Sequence, residues 1–303
     1  MPNTLAHIGV QTIATKAVDH TIDVKWIAVG CIIPDIPWIM QRIVHWLVPG
    51  IDFITLRAYA MVQASLFFCL LLSGALCLFA CNKKKLFWVL SGNSLLHLLL
   101  DSLQIKWANG VHLLAPFSWQ LTSFDFFWPE HWITKVLSLL GCVVLLVFAF
   151  SDRHQKLDLV IKPLNTLFAC LLLLLYLATP PLFIDGPFAS NNHFIQTLRD
   201  LDTRPGKSFA IDRGRYDPQA STIEIFTGET LLIDTIPVAE KTKISLQGSF
   251  QDRNTVTVTA YHVHSSQRDS YSFVGLFAVL TIWLLAIFRK KSKVAQRKAT
   301  LKN

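Results

Sequence analysis

Apolar and polar positions divide the chain into a helical part and a strand-rich part. Two helices at the N-terminus, Thr4–Val18 and residues 24–33, are too short to span a membrane alone and could form a hairpin that dips into one leaflet. Residues 86–100 form another short apolar helix, which carries Asn93 and His97. Four longer apolar stretches reach the roughly 17–25 residues that cross a bilayer, namely residues 58–81, 133–150, 164–183 and 272–288.

Residues 184–271 have a different pattern, because long apolar runs give way to alternation with β-branched residues. Period-two alternation predicts strands, here at residues 208–211, 221–226, 231–236, 243–250 and 255–264. Gly228, Pro237 and Gly248 mark turns. Short strands this close together predict a small antiparallel barrel or sandwich, with an OB-like barrel as one option.

The pattern as a whole predicts a mainly α-helical polytopic membrane protein with a small antiparallel β domain inserted between the last two spans. Residues 1–183 would form a helical membrane domain with a candidate metal site. Residues 184–271 would form an extracytoplasmic β domain, and residues 272–303 a final transmembrane helix with a basic cytoplasmic tail.

Composition supports a membrane environment. Of 303 residues, 52% are hydrophobic and 16% charged, with a mean hydropathy of +0.43, whereas soluble domains are about one quarter charged. The composition excludes a disordered chain and argues against a single soluble globule. No Lys or Arg precedes Lys16, so a cleavable signal peptide is not expected.

The net charge of +8 is unevenly distributed. Residues 1–182 carry +3, residues 183–271 carry −2 and residues 272–303 carry +7. The strand-rich segment therefore lacks the basic footprint of nucleic-acid binding. By the positive-inside rule, the basic segments 82–85, 151–162 and 289–302 predict a multi-pass protein with a cytoplasmic C-terminus. Multi-pass insertion without a cleavable signal peptide suits the bacterial cytoplasmic (inner) membrane, an expectation that rests partly on a family resemblance of residues 1–130.

Four residues with metal-binding side chains are expected to meet at the outer side of this membrane. His97 and Asp101 lie four residues apart on a helix and therefore share one face. Asp35 follows an apolar helix between two prolines that fix the backbone, and His7 lies near the start of the first helix. Two imidazoles and two carboxylates suit a divalent metal, zinc first, with manganese or iron as alternatives.

Other metal-binding residue types give weaker signals. His262 and His264 lie two apart on a predicted strand and point to one face, but no third ligand is evident, which favours a structural or surface role. The six cysteines fall in apolar helices, and we interpret them as small hydrophobic residues rather than as metal ligands or disulfide partners.

Residues 1–130 resemble a known family. His7 near the start, the PDIPW motif containing Asp35, then HLLLDSLQ and GVHLLAPFSW, resemble the membrane-bound predicted metal-dependent hydrolases, which are distantly similar to zinc-dependent phospholipase C. The resemblance implies a helical membrane protein with a metal site built from His7, Asp35, His97 and Asp101.

The chain departs from this family's pattern at two motifs. Pro37 stands where the family motif PD-x-D has its second Asp. An HRG-x-THS motif is missing, and its nearest match, LRAYAMVQASL, retains only Arg57 and Ser65. The absent histidine would have to be replaced from the outer loops, where the candidates are His45, His112 and His131.

Two functions follow as expectations. The first is a metal-dependent hydrolase that acts on a phosphoester or lipid-linked substrate at the outer face of the membrane, with Asp35 and Asp101 as catalytic carboxylates. The second is a non-catalytic membrane protein with a degenerate metal site, whose β domain is a binding or assembly module. A transporter has little support, because no inverted repeat is apparent. Expected partners are the lipid bilayer and a lipid-linked substrate.

Overall fold

The computed structural model describes residues 3–150, 159–265 and 267–288, which form a helical body and a five-stranded barrel. The helices of the body are α1 (Thr4–Val18), α2 (Val24–Ile32), α3 (Ile36–Leu47), α4 (Phe53–Gln63), α5 (Leu66–Cys77), α6 (Lys83–Ser102), α7 (Trp132–Phe150) and α8 (Pro163–Ala178). Two short helices, α9 (Asp185–Ala189) and α10 (Ile195–Arg199), lead to strands β1 (Ser208–Asp217), β2 (Thr222–Glu224), β3 (Thr230–Ile233), β4 (Thr242–Phe250) and β5 (Thr255–Val263), and α11 (Gln267–Phe288) follows.

Glycines let α1 pack closely against its neighbours. A Cβ added at Gly9 would lie 2.6 Å from the backbone nitrogen of Gly141 in α7, and one at Gly141 would lie 2.0 Å from the carbonyl oxygen of Leu5. A Cβ at Gly275 of α11 would lie 2.6 Å from the Cβ of Thr4. Any larger side chain would separate these backbones, so the glycines position the first turns of α1 inside the helical body.

Polar side chains inside the apolar helices pair with one another. Asn93 of α6 donates to the hydroxyl of Thr15 in α1 at 3.1 Å and to the backbone oxygen of Val89 at 2.8 Å. Gly30 of α2 leaves the space that this side chain needs, because a Cβ there would lie 2.7 Å from the Cβ of Asn93. α6 is therefore held against both α1 and α2.

The prediction of a polytopic helical membrane protein is wrong. In the part of the chain that the structure describes, one continuous helical segment, Val24–Leu47, is long and apolar enough to cross a membrane. The number reaches three if each of two bent helix pairs counts as one span. Where side chains are described, α7 and α11 contribute the shorter apolar stretches Trp132–Val147 and Ser270–Leu284.

The error arises from breaks that hydropathy does not detect. The predicted span 58–81 bends by 68° between α4 and α5, and the segment 163–189 bends by 41° where Pro180 ends α8. Conversely, the sequence predicts that a helix ends at residue 33, but Pro34 and Pro37 occupy the first turns of a 3₁₀ segment and of α3. Proline is tolerated in such first turns, so the helix continues through both.

The strand-rich segment forms a closed barrel with the strand order β1-β2-β3-β5-β4. OB folds are also five-stranded barrels, but partly open ones. The prediction of a purely antiparallel β domain is wrong at one pair, because β3 and β5 run parallel. The barrel core is built from inward-facing apolar residues of all five strands, among them Ile211, Ile223, Leu231, Leu246 and Val256.

A buried arginine ties the approach to the barrel to its strands. Arg204 is 0% exposed and pairs through both terminal nitrogens with Glu229, at 2.5 and 2.8 Å. Its remaining hydrogen bonds go to the backbone oxygens of Thr197, Leu198 and Arg253. All five guanidinium donors are therefore satisfied.

Two basic segments used to predict orientation lie largely outside the described residues. They are the loop 151–162, of which residues 151–158 are not described, and the tail 289–302. The orientation of the chain and its cytoplasmic C-terminus therefore stay predictions.

Candidate metal centre

His7, His97 and Asp101 come together inside the helical body. One ligand atom from each of them lies within 4.8 Å of the other two. The Nε2 of His7 is 3.3 Å from the Oδ1 of Asp101, and the two imidazole rings stack with centroids 3.8 Å apart and planes within 4°. Both histidines are buried and Asp101 is 12% exposed through its side chain.

Local structure explains this placement. Asn3 caps α1 by accepting a hydrogen bond from the backbone nitrogen of Ala6, which sets His7 one turn into the helix. His97 and Asp101 occupy successive turns of one face near the end of α6, as predicted from their spacing. Because α1 and α2 both pack against α6, the three side chains converge.

Asp35 faces the same ring nitrogen of His97 that points toward Asp101. It is 3% exposed and ends the 3₁₀ segment Ile33–Asp35 that links α2 to α3. Its Oδ1 is 3.3 Å from the Nε2 of His97. Asp35 is not one of the three residues whose ligand atoms all lie within 4.8 Å of one another. The four predicted ligands are therefore neighbours, but only three of them form a mutually close group.

One ligand distance fits a tetrahedral ion and a second is longer. Two ligands bound at about 2.0–2.1 Å in tetrahedral geometry lie about 3.3 Å apart, which matches the His7–Asp101 separation of 3.3 Å, whereas the Nε2 of His97 lies 4.0 Å from the Oδ2 of Asp101. The Nε2 atoms of both histidines and the Oδ1 of Asp101 are buried and make no hydrogen bond. Buried polar atoms are normally paired, so these three atoms are available as ligands for a divalent metal ion.

Neighbouring groups orient both imidazoles. The Nδ1 of His97 lies 2.5 Å from the backbone oxygen of Cys31. Since a carbonyl only accepts, Nδ1 carries the proton and Nε2 presents a lone pair toward Asp35 and Asp101. The lone pair and the two carboxylates all carry negative charge density. A cation, or a second proton on the ring of His97, is therefore needed between them. Gln11 contacts the Nδ1 of His7 at 3.4 Å and so supports the second ring.

The charges suit metal ligation. Burial lowers the pKa of His7 to about 4, and His97 adds to this effect. Burial alone would lower the pKa of His97, but Asp35 and Asp101 outweigh it and raise that pKa. Burial alone would raise the pKa of Asp101, but Lys106, at 3.1 Å, and the two histidines hold it well below its usual range.

A small cavity of about 20 Å³ lies beside His7. Its walls are mainly apolar, with Val10 from α1, Leu100 from α6 and Leu137 from α7. Gln104 and Thr134 add polar groups to the lining. The cavity has room for about one water molecule next to His7.

The three histidines proposed as replacements for the missing family ligand lie elsewhere. His45 is exposed and packs against Phe53, with ring centroids 4.5 Å apart. His131 is exposed. His112 is buried near His193, with ring centroids 5.4 Å apart. None of them belongs to the group around His97.

Sequence reasoning missed the residues that support the site. Lys106 and Gln11 contact Asp101 and His7, respectively, and neither belongs to a recognisable motif. Gln11 lies four residues after His7 on α1, and this helical spacing was a usable signal. Lys106 follows α6 in an irregular segment, where spacing carries no such information.

No known protein supplies a function for this site by similarity. Comparisons with protein-family models, curated proteins and solved structures found no match to this chain. The resemblance to membrane-bound metal-dependent hydrolases therefore stays a prediction, and the geometry above is the basis for assigning a function.

Proposed function

We propose that the chain is a metal-dependent hydrolase whose ion is held by His7, His97 and Asp101. The observation that carries the proposal is the convergence of three buried ligand atoms that have no hydrogen bond. Two imidazoles and one carboxylate leave a fourth position open, which is typical of catalytic rather than structural zinc sites. Zinc is the first candidate, and manganese or iron would suit the same ligands.

The chain's own residues have separable roles in this proposal. When bound, a divalent ion in such a site lowers the pKa of a water molecule and polarises a phosphoryl or acyl oxygen. The carbonyl of Cys31 keeps the Nε2 of His97 available as a ligand. Asp35, outside the group of three but 3.3 Å from His97, is the carboxylate placed to accept a proton.

The proposed substrate is a phosphoester of a lipid or of a lipid-linked molecule, as the resemblance implies. Apolar side chains beside His7, among them Val10, Leu100 and Leu137, are compatible with such a substrate.

Association with a membrane is part of the proposal. Helix α8 exposes Leu164, Leu167, Leu171 and Leu174, which follow one another at helical spacing along a single stripe. Helix α11 exposes a similar stripe that includes Phe273, Phe277, Leu280 and Leu284. Apolar stripes of this length favour contact with lipid, and the bacterial cytoplasmic membrane is the proposed location.

The test is hydrolysis of a chromogenic phosphodiester by the full chain, with and without added zinc. Asp35→Asn is expected to retain zinc and to lower kcat by about 10²–10⁴-fold, the usual contribution of a general base. His20→Ala, at an exposed position in the same helical body, is the control and should keep full activity.

Two outcomes would contradict the proposal. An Asp35→Asn variant as active as the wild type would remove Asp35 from the reaction. A zinc-loaded wild type without hydrolysis of soluble or lipid-dispersed phosphoesters would favour the non-catalytic alternative, in which the barrel is a binding or assembly module.

A further inference from the structure

A second cluster of metal-binding side chains joins the barrel to the loop between α6 and α7. Glu130 lies in that loop, two residues before α7, whereas His262 and His264 lie at the end of β5. The Oε1 of Glu130 is 2.7 Å from the Nδ1 of His264, and its Oε2 is 3.3 Å from the Nε2 of His262. One ligand atom from each residue lies within 4.8 Å of the others.

Hydrogen bonding determines which ring nitrogen of His264 carries a proton. Ser245 donates its hydroxyl proton to the carboxylate of Asp212, at 3.0 Å. Its oxygen is also 2.7 Å from the Nε2 of His264. Because the only proton of the hydroxyl is already donated, Ser245 accepts from His264, and Nε2 is an N–H.

This tautomer leaves a lone pair on the Nδ1 of His264. That lone pair faces the Oε1 of Glu130 at 2.7 Å, so two acceptors meet inside hydrogen-bond distance. A cation between them, or a second proton on the ring, must compensate. The relay from His264 through Ser245 to Asp212 is the arrangement that typically orients a metal-bound histidine.

The same residues do not form a nucleophilic triad. Ser245 is 0% exposed, and its hydroxyl accepts from the backbone nitrogen of Arg213 as well as from His264. A serine nucleophile must donate to its histidine and face a substrate. Ser245 does neither, and its position is that of a support for His264.

The cluster is accessible and rigidly held. The side chains of Glu130 and His262 are 15% and 26% exposed, which leaves a path for an ion. Trp128 stacks on His262, with centroids 3.8 Å apart and planes within 4°, and fixes the orientation of that ring. The Glu130–His262 separation of 3.3 Å matches the spacing of about 3.3 Å between two ligands of a tetrahedral ion.

We propose that Glu130, His262 and His264 form a second divalent-cation site, which fastens strand β5 to the loop that follows the first metal centre. Two histidines and one glutamate are a recurrent zinc ligand set, with water completing the coordination. The site goes beyond the proposed hydrolase function, and it does not depend on that function.

The test is a titration of the full chain with Co²⁺, followed by visible absorption and by bound metal per chain. Glu130→Gln and His262→Gln are each expected to bind one ion fewer than the wild type. Ser245→Ala should keep the number of ions but bind the second ion about 10–100-fold more weakly, the usual effect of losing a supporting group. His131→Ala, an exposed histidine next to Glu130, is the matched control and should bind like the wild type.

Repeating the titration in the His97→Ala/Asp101→Ala background separates the two sites. Glu130→Gln should remove one further ion there, whether or not the first centre binds metal. Equal binding by the wild type, Glu130→Gln and His262→Gln would overturn the proposal and leave Glu130, His262 and His264 as a hydrogen-bonded cluster without an ion.

Discussion

Replacing Lys106 by methionine should destabilise the metal-free protein far more than the metal-loaded protein. The Nζ of Lys106 is 3.1 Å from the Oδ2 of Asp101, and both side chains are mostly buried, at 8% and 12% exposed. Without metal, Lys106 is a close cation for this carboxylate. With metal bound, the ion itself neutralises Asp101, and the lysine becomes dispensable.

The magnitude follows from the burial of the pair. Removing one partner of a buried ion pair costs about 3–5 kcal/mol, so Lys106→Met should lower the free energy of unfolding by that amount in a chelator. In excess zinc the loss should fall to about 1 kcal/mol, the size of an ordinary hydrogen bond. A difference of about 3 kcal/mol corresponds to roughly 100-fold tighter zinc binding by the variant.

Denaturant unfolding with and without zinc measures both stabilities, and competition with a chromophoric chelator measures the affinity independently. Lys106→Arg, which keeps the positive charge, is the control and should behave nearly like the wild type. The reasoning is refuted if Lys106→Met loses the same stability in zinc and in chelator and binds zinc with unchanged affinity. Asp101 would then be a partner of Lys106 alone.

Two further predictions concern the barrel and the pH dependence. Arg204→Lys should destabilise the barrel by about 3–5 kcal/mol, since lysine cannot satisfy the five acceptors around this buried position. Hydrogen exchange of the barrel strands measures this loss. Arg215→Lys, in an exposed pair, is the control and should change the stability of the barrel by less than about 1 kcal/mol. Burial, with a contribution from Arg57, lowers the pKa of His112 to about 4. Because the unfolded chain then binds a proton more readily than the folded chain, the stability that neutral His112 provides is complete above about pH 6.5. This stability is lost as the pH falls toward 4, by up to about 3 kcal/mol. The unfolding midpoint of His112→Gln should depend less on pH across this range, and an unchanged dependence would contradict the assignment.

Part of the candidate site could be predicted from the sequence, because local rules place some of its residues. His97 and Asp101 share a helix face through their four-residue spacing, and Asp35 is held by the prolines around it. The meeting of His7 with these residues depends on close packing at Gly9 and similar positions. Spacing along the chain carries no signal for such contacts between helices.

The fold was predicted less well, for a physical reason that differs between its two parts. Strand alternation located the barrel, but the parallel pairing of β3 with β5 is a long-range contact that alternation does not encode. In the helical part, mean hydropathy treated residues 58–81 as one span, although the chain bends by 68° between α4 and α5. Burial within the protein and burial in lipid produce the same apolar runs.

The third member of the second cluster was invisible for a related reason. His262 and His264 were recognised as a pair on one face of a strand, but Glu130 lies more than 130 residues earlier in the chain. Only the packing of the barrel against the loop before α7 brings it to them. Ligands contributed by separate units of a fold are the hardest to find from spacing.

The most direct test of the central claim is the zinc content of the purified full chain, measured for the His97→Ala/Asp101→Ala variant and for the His20→Ala control. The account predicts that the control keeps the zinc content of the wild type and that the double variant contains one ion fewer per chain. Equal zinc content in the double variant and the control would contradict the assignment of His7, His97 and Asp101 as a metal centre.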